Sequence, residues 1–139
     1  MRTRAAGILI KDDSIALMHR IKNGREYYVI PGGGVEDNES IEEAVIREMK
    51  EEVGIDVKII EKLFEYNDDN SNQFFYLVEQ IDGVFGTGNG PEFITPNPAK
   101  GYYHMEMVLF DDIVNGKINL VPEEIKTKLI EYIKRWLYG

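Results

Sequence analysis

Three glutamates are spaced so that a helix would gather them on one face. Glu48, Glu51 and Glu52 lie in the stretch REMKEEVG at positions i, i+3 and i+4. On a helix this spacing puts the carboxylates within one turn of each other, where like charges repel by about 0.2–0.5 kcal/mol per pair. A shared divalent cation would remove that repulsion. Taken alone, the triple also fits a charged surface helix, so the surrounding residues must decide between the two interpretations.

The helix that carries these glutamates is predicted over residues 40–53. Ser40 and Glu43 form a capping-box pattern at its start, and Gly54 suits the end of a helix. The three glutamates fall on the border of its apolar stripe, where removing an unpaired carboxylate from water costs several kcal/mol. The stripe consists of Ile41, Val45, Met49 and Val53, with Ala44 and Ile46 at its edges.

A glycine-rich turn, PGGGVEDNE, precedes the helix at residues 31–39. Its glycines can adopt positive φ and let the backbone approach a ligand closely. From Gly33 the chain continues with five residues, Glu39, seven residues and then REMKEEVGI. This pattern resembles the signature of the Nudix (MutT-like) hydrolases, GX5EX7REUXEEXGU, in which U is a bulky aliphatic residue. Every fixed position matches when Met49 is accepted as the first U.

The resemblance implies a Nudix hydrolase that cleaves a phosphoanhydride bond in a nucleoside diphosphate linked to another group. Water attacks phosphorus in that reaction, and Mg²⁺ or Mn²⁺ is the cofactor. By the same resemblance Glu48 and Glu52 are metal ligands, and Glu51 shares the metal cluster or orients and deprotonates the water. These roles agree with elementary chemistry, because a bound metal neutralises phosphate charge and lowers the pKa of water.

Other residues of the motif also take implied roles. The carbonyl of Gly32 is implied as a further metal ligand, and Gly33 as a contact to the substrate. Arg47 is implied to align the metal cluster while it pairs with Glu39, and a guanidinium can bind a carboxylate through two hydrogen bonds at once. A simple ion pair between loop and helix also accounts for these two charges. Glu39 and Gly54 are therefore expected to be structural residues of the motif.

Outside the motif the sequence signal is weaker. Arg20 ends the second predicted strand, where similar enzymes often place a residue near the substrate phosphates, although a surface arginine would look the same. Members of the family often add a glutamate from elsewhere as a ligand or as the base. We expect Glu92, within GNGPEF, to fill this role, with Glu79 and Glu106 as alternatives.

Aromatic residues and histidines complete the set of candidates. We expect one of four aromatic residues to stack on a nucleobase, namely Tyr28, Phe93, Tyr102 or Tyr103. The absence of cysteine excludes a thiolate metal site, and only two histidines argue against a histidine-built zinc site. His19 and His104 show no partner in the sequence, so we interpret both as structural.

The predicted elements indicate an α/β fold. Strands and helices follow one another without a regular βαβ alternation, so we expect a mixed sheet with helices on both faces. This arrangement is the α/β/α sandwich that the resemblance implies, in one Nudix domain over residues 1–139. Residues 82–103, rich in Gly and Pro, are predicted as a long functional loop. Strands are predicted at 5–10, 14–20, 26–30, 55–66, 72–80 and 104–110, and a closing helix at 122–138.

Charge and hydropathy restrict the partners. A net charge of −9 argues against a broad electrostatic grip on long nucleic acid or an anionic membrane. A small nucleotide remains compatible, because a bound cation can invert the local field. No apolar run approaches the roughly 20 residues that span a bilayer. We expect a cytoplasmic protein with a small-molecule nucleotide substrate, and the resemblance is compatible with a homodimer.

The nucleotide itself is left open by the sequence. Residues 69–72 lie where some Nudix subfamilies carry a proline or tyrosine that accompanies a particular substrate, and they contain neither. The candidates are dNTPs, sugar nucleotides, ADP-ribose and dinucleoside polyphosphates. The main alternative function is a Nudix module that senses a nucleotide or sugar nucleotide without cleaving it. A third is a structural domain that only binds a cation.

Overall fold

The chain forms a sheet of seven strands in the computed structural model, which describes residues 2–87 and 101–138. Along the strands, apolar side chains point alternately to the two faces of the sheet, as expected for a sheet that is covered on both sides. Their bounds are β1 Arg2–Lys11, β2 Ser14–Lys22, β3 Arg25–Val29, β4 Gly32–Gly34, β5 Ile55–Asn67, β6 Ser71–Gly83 and β7 Tyr102–Leu109.

The sheet is mixed, as the sequence predicts. Its main order is β3-β2-β1-β6-β5, with β4 paired to β1 and β7 paired to β2. Only the β1–β6 pair is parallel among the described strands, and the other pairs are antiparallel. The N-terminal part of β1 lies between β4 and β6, and its C-terminal end pairs with β2. Strand β1 therefore connects the glycine-rich β4 to the rest of the sheet.

Helices cover both faces of the sheet, which confirms the expected layers. Helix α1, Ile41–Glu48, packs its buried Ala44 and Val45 on one face. Helix α3, Glu123–Tyr138, packs Leu129 and Ile133 on the other, next to the short helix α2, Phe110–Val114. The two buried clusters are separated by the sheet itself.

The first helix ends in a widened turn that the sequence does not predict. Residues Met49–Val53 form a π-helical turn, and Gly54 at φ 85° ends it with two hydrogen bonds back to the turn. Ser40 caps the start of α1, and both bonds of the predicted capping box are present. Single π-helical turns inside helices are frequent at functional sites. Two of the three spaced glutamates, Glu51 and Glu52, lie in this turn.

A glycine beneath the helix lets it approach the sheet. A Cβ on Gly7 of β1 would lie 2.6 Å from Sδ of Met49, closer than packed atoms allow. Met49 is fully buried above this glycine, whereas Ile46 is 40% exposed. Ile46 is therefore not at the edge of the apolar stripe, because the buried arc is narrower than the sequence suggested.

Several further elements differ from the prediction. Strand β4 and helix α2 are additional elements, and β7 begins at Tyr102, inside the predicted loop. Most of that loop, residues 88–100, lies outside the described residues. Within residues 2–87 and 101–138, no helix has the length and apolar character needed to cross a membrane.

We predict opposite outcomes for two apolar substitutions on this helix. Met49→Ala should lower the free energy of unfolding by about 2–5 kcal/mol, because it leaves a cavity above Gly7. Ile46→Ala should change it by about 0.5 kcal/mol or less, because the side chain is largely solvated. Urea denaturation of both variants measures the difference, and equal losses would contradict this packing of the helix on the sheet.

Candidate active site

The buried glutamate of the site lies against the glycine strand. Glu48 is only 7% exposed, at the end of α1. A Cβ built on Gly33 of β4 would overlap the Glu48 carboxylate. A glycine is therefore required at this position if the carboxylate is to face β4. The structure thus brings together Glu48 and the glycine turn, as the sequence predicts.

Arg47 joins the turn to the helix. Its Nε donates to Glu39 Oε2 at 2.8 Å and its Nη2 donates to Glu39 Oε1 at 3.0 Å, which is the two-bond contact that a guanidinium favours. Nη2 also donates to the carbonyl of Gly34 at 2.9 Å. Nη1 donates to Glu48 Oε1 at 2.8 Å and to Glu51 Oε2 at 3.3 Å. One side chain thus holds the loop, the turn backbone and two of the spaced glutamates.

The carboxylates around Arg47 differ in their electrostatics. Burial raises the pKa of Glu48, although the hydrogen bond and charge of Arg47 oppose this, and nearby Glu51 adds to the rise. The hydrogen bonds from Arg47 instead lower the pKa of Glu39. The paired Glu39 carboxylate chiefly raises the pKa of Arg47. Arg47 therefore stabilises the negative charge of Glu39 well, but it offsets the burial of the Glu48 carboxylate only in part.

The donor set at this place fits a hard divalent cation. Glu48, Glu51 and Glu52 offer carboxylate oxygens, and one of these atoms, Glu52 Oε2, is buried. Mg²⁺ and Mn²⁺ prefer such oxygen ligands. A cation here would also offset the cost of keeping the Glu48 charge buried, which its raised pKa reflects. These three residues form the acidic site.

A cleft of about 120 Å³ opens beside the acidic site. Glu52 lines it from one side, and Arg4 and Arg20 line it together with the backbone of Gly32. The Arg20 guanidinium lies 5.1 Å from the ring centre of Tyr103, which also lines the cleft. A second hollow shares both arginines and continues toward Phe74, Phe75 and Pro122.

The two arginines have unused hydrogen-bonding capacity. Their Nε atoms are buried and have no hydrogen-bond partner in the part of the chain that the structure describes. Arg4 makes one long contact, 3.4 Å from Nη2 to the carbonyl of Gly32, and burial lowers its pKa. Half-buried arginines beside a cation site built from carboxylates are suited to bind the charged oxygens of a polyphosphate.

Most predicted motif residues meet at this place. Glu39, Arg47, Glu48 and Glu51 form one hydrogen-bonded network, which also includes the Gly34 carbonyl. Gly54 ends the widened turn, and its φ of 85° favours glycine. The roles of these residues remain predictions, because geometry alone does not assign them.

Two predicted residues lie elsewhere. Tyr28 pairs with His19 across β2 and β3, whereas Tyr27 pairs with Arg20. Because neighbouring residues of a strand face opposite sides, Tyr28 points away from the cleft, and its hydroxyl donates to Glu106 at 3.1 Å. Glu106 itself shares that far side, so it does not reach the acidic site.

The remaining candidate residues lie at different places in the chain. Tyr103 lines the cleft, whereas Tyr102 is exposed. Glu79 lies on β6, within 3.4 Å of the exposed Lys58 ammonium. Glu92 and Phe93 lie outside the described residues.

Two features escaped the sequence-based prediction. Arg4 joins the cleft because β1 pairs with β4, and the only local signal is the alternation of Arg2 and Arg4 at the start of a strand. The prediction that the histidines lack partners is wrong, since His19 contacts both Glu26 and Glu106, and His104 contacts Glu106.

Comparison with known proteins assigns the fold and the family. A model of the NUDIX domain family matches residues 1–128. The ADP-ribose pyrophosphatase of Methanocaldococcus jannaschii is 44% identical over 90 residues, which are 60% of this chain and 53% of that protein. The 8-oxo-dGTP diphosphatase of Escherichia coli is 44% identical over 57 residues, 38% of this chain and 44% of that protein. The aligned part thus spans about half the length of these relatives.

Solved structures share the whole fold. A MutT structure from work on Aliivibrio salmonicida and Vibrio cholerae superposes with a TM-score of 0.72 at 24% identity, covering 97% of this chain and 98% of that chain. An ADP-ribose pyrophosphatase of Streptococcus suis superposes with a TM-score of 0.68 at 18% identity, covering 99% and 92%. At these identities the likeness establishes the fold and not the substrate.

The Arg47 contacts predict a specific cost for a conservative substitution. Arg47→Lys should lower the free energy of unfolding by about 1–3 kcal/mol, because an ammonium cannot replace the paired bonds to Glu39 and the bond to Gly34. Arg135→Lys, at an exposed position on α3, should change it by about 0.5 kcal/mol or less. Urea denaturation measures both, and an Arg47→Lys protein as stable as the control would refute the role of this side chain.

Proposed function

The chain belongs to the Nudix family, and from this premise we propose that it hydrolyses a phosphoanhydride bond in a nucleoside diphosphate linked to another group. Mg²⁺ is the proposed cofactor. The observation that carries the proposal is the position of the acidic site, held by Arg47 against the glycine strand and beside two half-buried arginines. A structural domain that binds only a cation would not need those arginines.

The proposed cation ligands are Glu48, Glu51 and Glu52 with the carbonyl of Gly32. The chemistry that Mg²⁺ supplies when bound is neutralisation of phosphate charge and a lower pKa for water. Arg47 keeps Glu48 and Glu51 in place through its hydrogen bonds. Because these acids are positioned before the substrate arrives, little reorganisation is needed during the reaction.

Glu51 is the proposed general base. Its side chain is 46% exposed, so water can reach it, whereas Glu48 is buried. Glu51 accepts a proton from water as the water oxygen forms a bond to phosphorus. The bridging oxygen leaves phosphorus with the bonding electron pair, and the two phosphate-containing products separate. Glu51 later returns the proton to solvent.

The cleft arginines are proposed to bind the substrate. Arg4 and Arg20, which line the cleft, are proposed to donate to non-bridging phosphate oxygens. Gly33, whose backbone lies against the Glu48 carboxylate, stays a proposed contact to the substrate. The hollow toward Phe74 and Pro122 is proposed to receive the part of the substrate beyond the phosphates. Arg20 was expected from the sequence, and Arg4 replaces Tyr28 in the proposed set.

Two substrates come first among the candidates. Two relatives of this chain are an ADP-ribose pyrophosphatase and an 8-oxo-dGTP diphosphatase, so ADP-ribose and 8-oxo-dGTP head the proposed substrates. ADP-ribose is placed first, because its enzyme aligns over the longer segment. One domain over residues 1–139, acting on a small nucleotide, completes the proposal.

Turnover assays test the proposed reaction. With Mg²⁺ present, the protein should release a nucleoside monophosphate from at least one member of a panel of ADP-ribose, 8-oxo-dGTP, dNTPs, sugar nucleotides and dinucleoside polyphosphates. Glu51→Gln and Glu52→Gln should each lower kcat by about 10²–10⁴-fold without unfolding the protein. Glu131→Gln, an exposed change on α3, is the control. Full activity in both site variants would contradict the proposal, and tight nucleotide binding without turnover would favour a sensing module.

The arginines are expected to act on substrate binding. Arg4→Gln should raise KM about 10- to 100-fold with a smaller change in kcat, because a charged hydrogen bond contributes about 1.5–3 kcal/mol. Arg135→Gln should leave both constants unchanged. Steady-state kinetics on the preferred substrate measures this, and an unchanged KM in the Arg4 variant would remove Arg4 from the site.

A further inference from the structure

A cluster of polar residues lies on the sheet face opposite the acidic site. His19 on β2 is paired with Tyr28 on β3 and with His104 on β7. Directly paired residues of antiparallel strands share a face, as do residues two apart along one strand. Glu26 and Glu106 therefore join the same face. Met18 and Met105, which neighbour the two histidines in sequence, face the α1 side instead.

The contacts within this cluster converge on one oxygen. Glu106 Oε1 lies 3.0 Å from His19 Nδ1 and 2.7 Å from His104 Nε2. The other oxygen, Oε2, accepts a hydrogen bond from the Tyr28 hydroxyl at 3.1 Å. The His19 ring stacks on Tyr28 with 4.3 Å between ring centres, which fixes its plane. Ring packing and charge together therefore hold these side chains around Glu106.

His19 has a carboxylate at each ring nitrogen. Its Nε2 lies 2.7 Å from Glu26 Oε1, in addition to the Nδ1 contact with Glu106. A neutral imidazole has one N–H and can satisfy only one of these two acceptors. A cation beside Nδ1, either a second proton or a metal ion, removes the conflict. The His19 side chain is only 11% exposed, so its ring has little contact with water beyond these two carboxylates.

We propose that His19, His104 and Glu106 bind a late first-row divalent metal ion, represented by Zn²⁺. One potential ligand atom from each residue lies within 4.8 Å of the other two. Zinc bonds of about 2.0–2.1 Å in a tetrahedron place the ligand atoms about 3.3 Å apart, so the side chains need only small shifts. Two imidazoles and a carboxylate suit Zn²⁺ and leave one position for water.

The surrounding residues match the outer partners of a metal site. Metal-bound histidines usually donate their second N–H to a carboxylate, which orients the ring. Glu26 stands in that place for His19, and Tyr28 holds the far oxygen of Glu106. The exposed side of His104 leaves access for the ion. Bound metal would join β2 to β7 at this end of the sheet.

This site differs in chemistry from the acidic site. Imidazole nitrogen favours zinc-like ions, whereas a set made only of oxygen atoms favours Mg²⁺. The two sites also lie on opposite faces of the sheet. The zinc proposal is thus independent of the proposed hydrolysis, and one site can be tested while the other is saturated.

Zinc binding in the presence of excess Mg²⁺ tests the proposal. The full chain is first treated with a chelator, Mg²⁺ is restored to fill the acidic site, and Zn²⁺ is titrated against a chromogenic competitor. One Zn²⁺ per chain should bind, and the imidazole ¹⁵N resonances of both histidines should shift. His104→Ala and Glu106→Gln should abolish this binding. Glu26→Gln should weaken it by about 10- to 100-fold.

Control variants distinguish zinc binding at the histidine cluster from zinc binding at the acidic site. Glu131→Gln, an exposed substitution on α3, should bind Zn²⁺ as the unmodified protein does, and circular dichroism verifies that each variant folds. His104→Ala is suited to the test because His104 is 56% exposed, so its loss leaves no buried cavity. The proposal is overturned if no Zn²⁺ binds and the histidine ¹⁵N resonances shift only when the imidazoles gain or lose a proton. It is equally overturned if Glu48→Gln, rather than His104→Ala, removes the zinc.

Discussion

The contact between Arg47 and Glu39 is the constraint on which the site depends. It ties a loop to the first helix through two parallel hydrogen bonds, and the same guanidinium also reaches the Gly34 carbonyl and the Glu48 carboxylate. Without this link, the acidic residues would be free to turn toward solvent to reduce their repulsion. Gly33 completes the constraint from the other side, since any side chain there would displace the Glu48 carboxylate.

Local sequence patterns predicted the parts of the site that depend on near neighbours. The Ser40–Glu43 capping box and the Gly54 helix end appear as expected, because each rests on hydrogen bonds within a few residues. The widened turn Met49–Val53 escaped prediction, because a π-helical turn has no distinct pattern in charge or hydropathy. Ile46 was misplaced for a different reason, since the buried arc of α1 is narrower than the apolar stripe in the sequence.

Residues placed by pairing between strands were harder to predict. Whether Tyr27 or Tyr28 faces the cleft depends on the register of β3 against β2, and a shift of one residue reverses the faces. Arg4 reaches the cleft only through the β1–β4 pair. His19 and Glu106 are 87 residues apart, so the contact that makes the histidines a cluster has no local signal. The motif indicates which residues have the chemistry to bind a metal, but it does not indicate how strands distant in the sequence pair with each other.

The position of β1 also has a consequence for the order in which the molecule assembles. Ala5 is paired with Gly33 on one edge and with Phe74 on the other, in the parallel β1–β6 pair. Closing such distant contacts is slow, because the entropy of a long loop is lost before the pairing stabilises the chain. A chain emerging from the ribosome therefore cannot flank β1 on both edges until Phe74 has been synthesised. The pairing of β1 on both edges is therefore completed only after the segment that carries Arg47 has been synthesised.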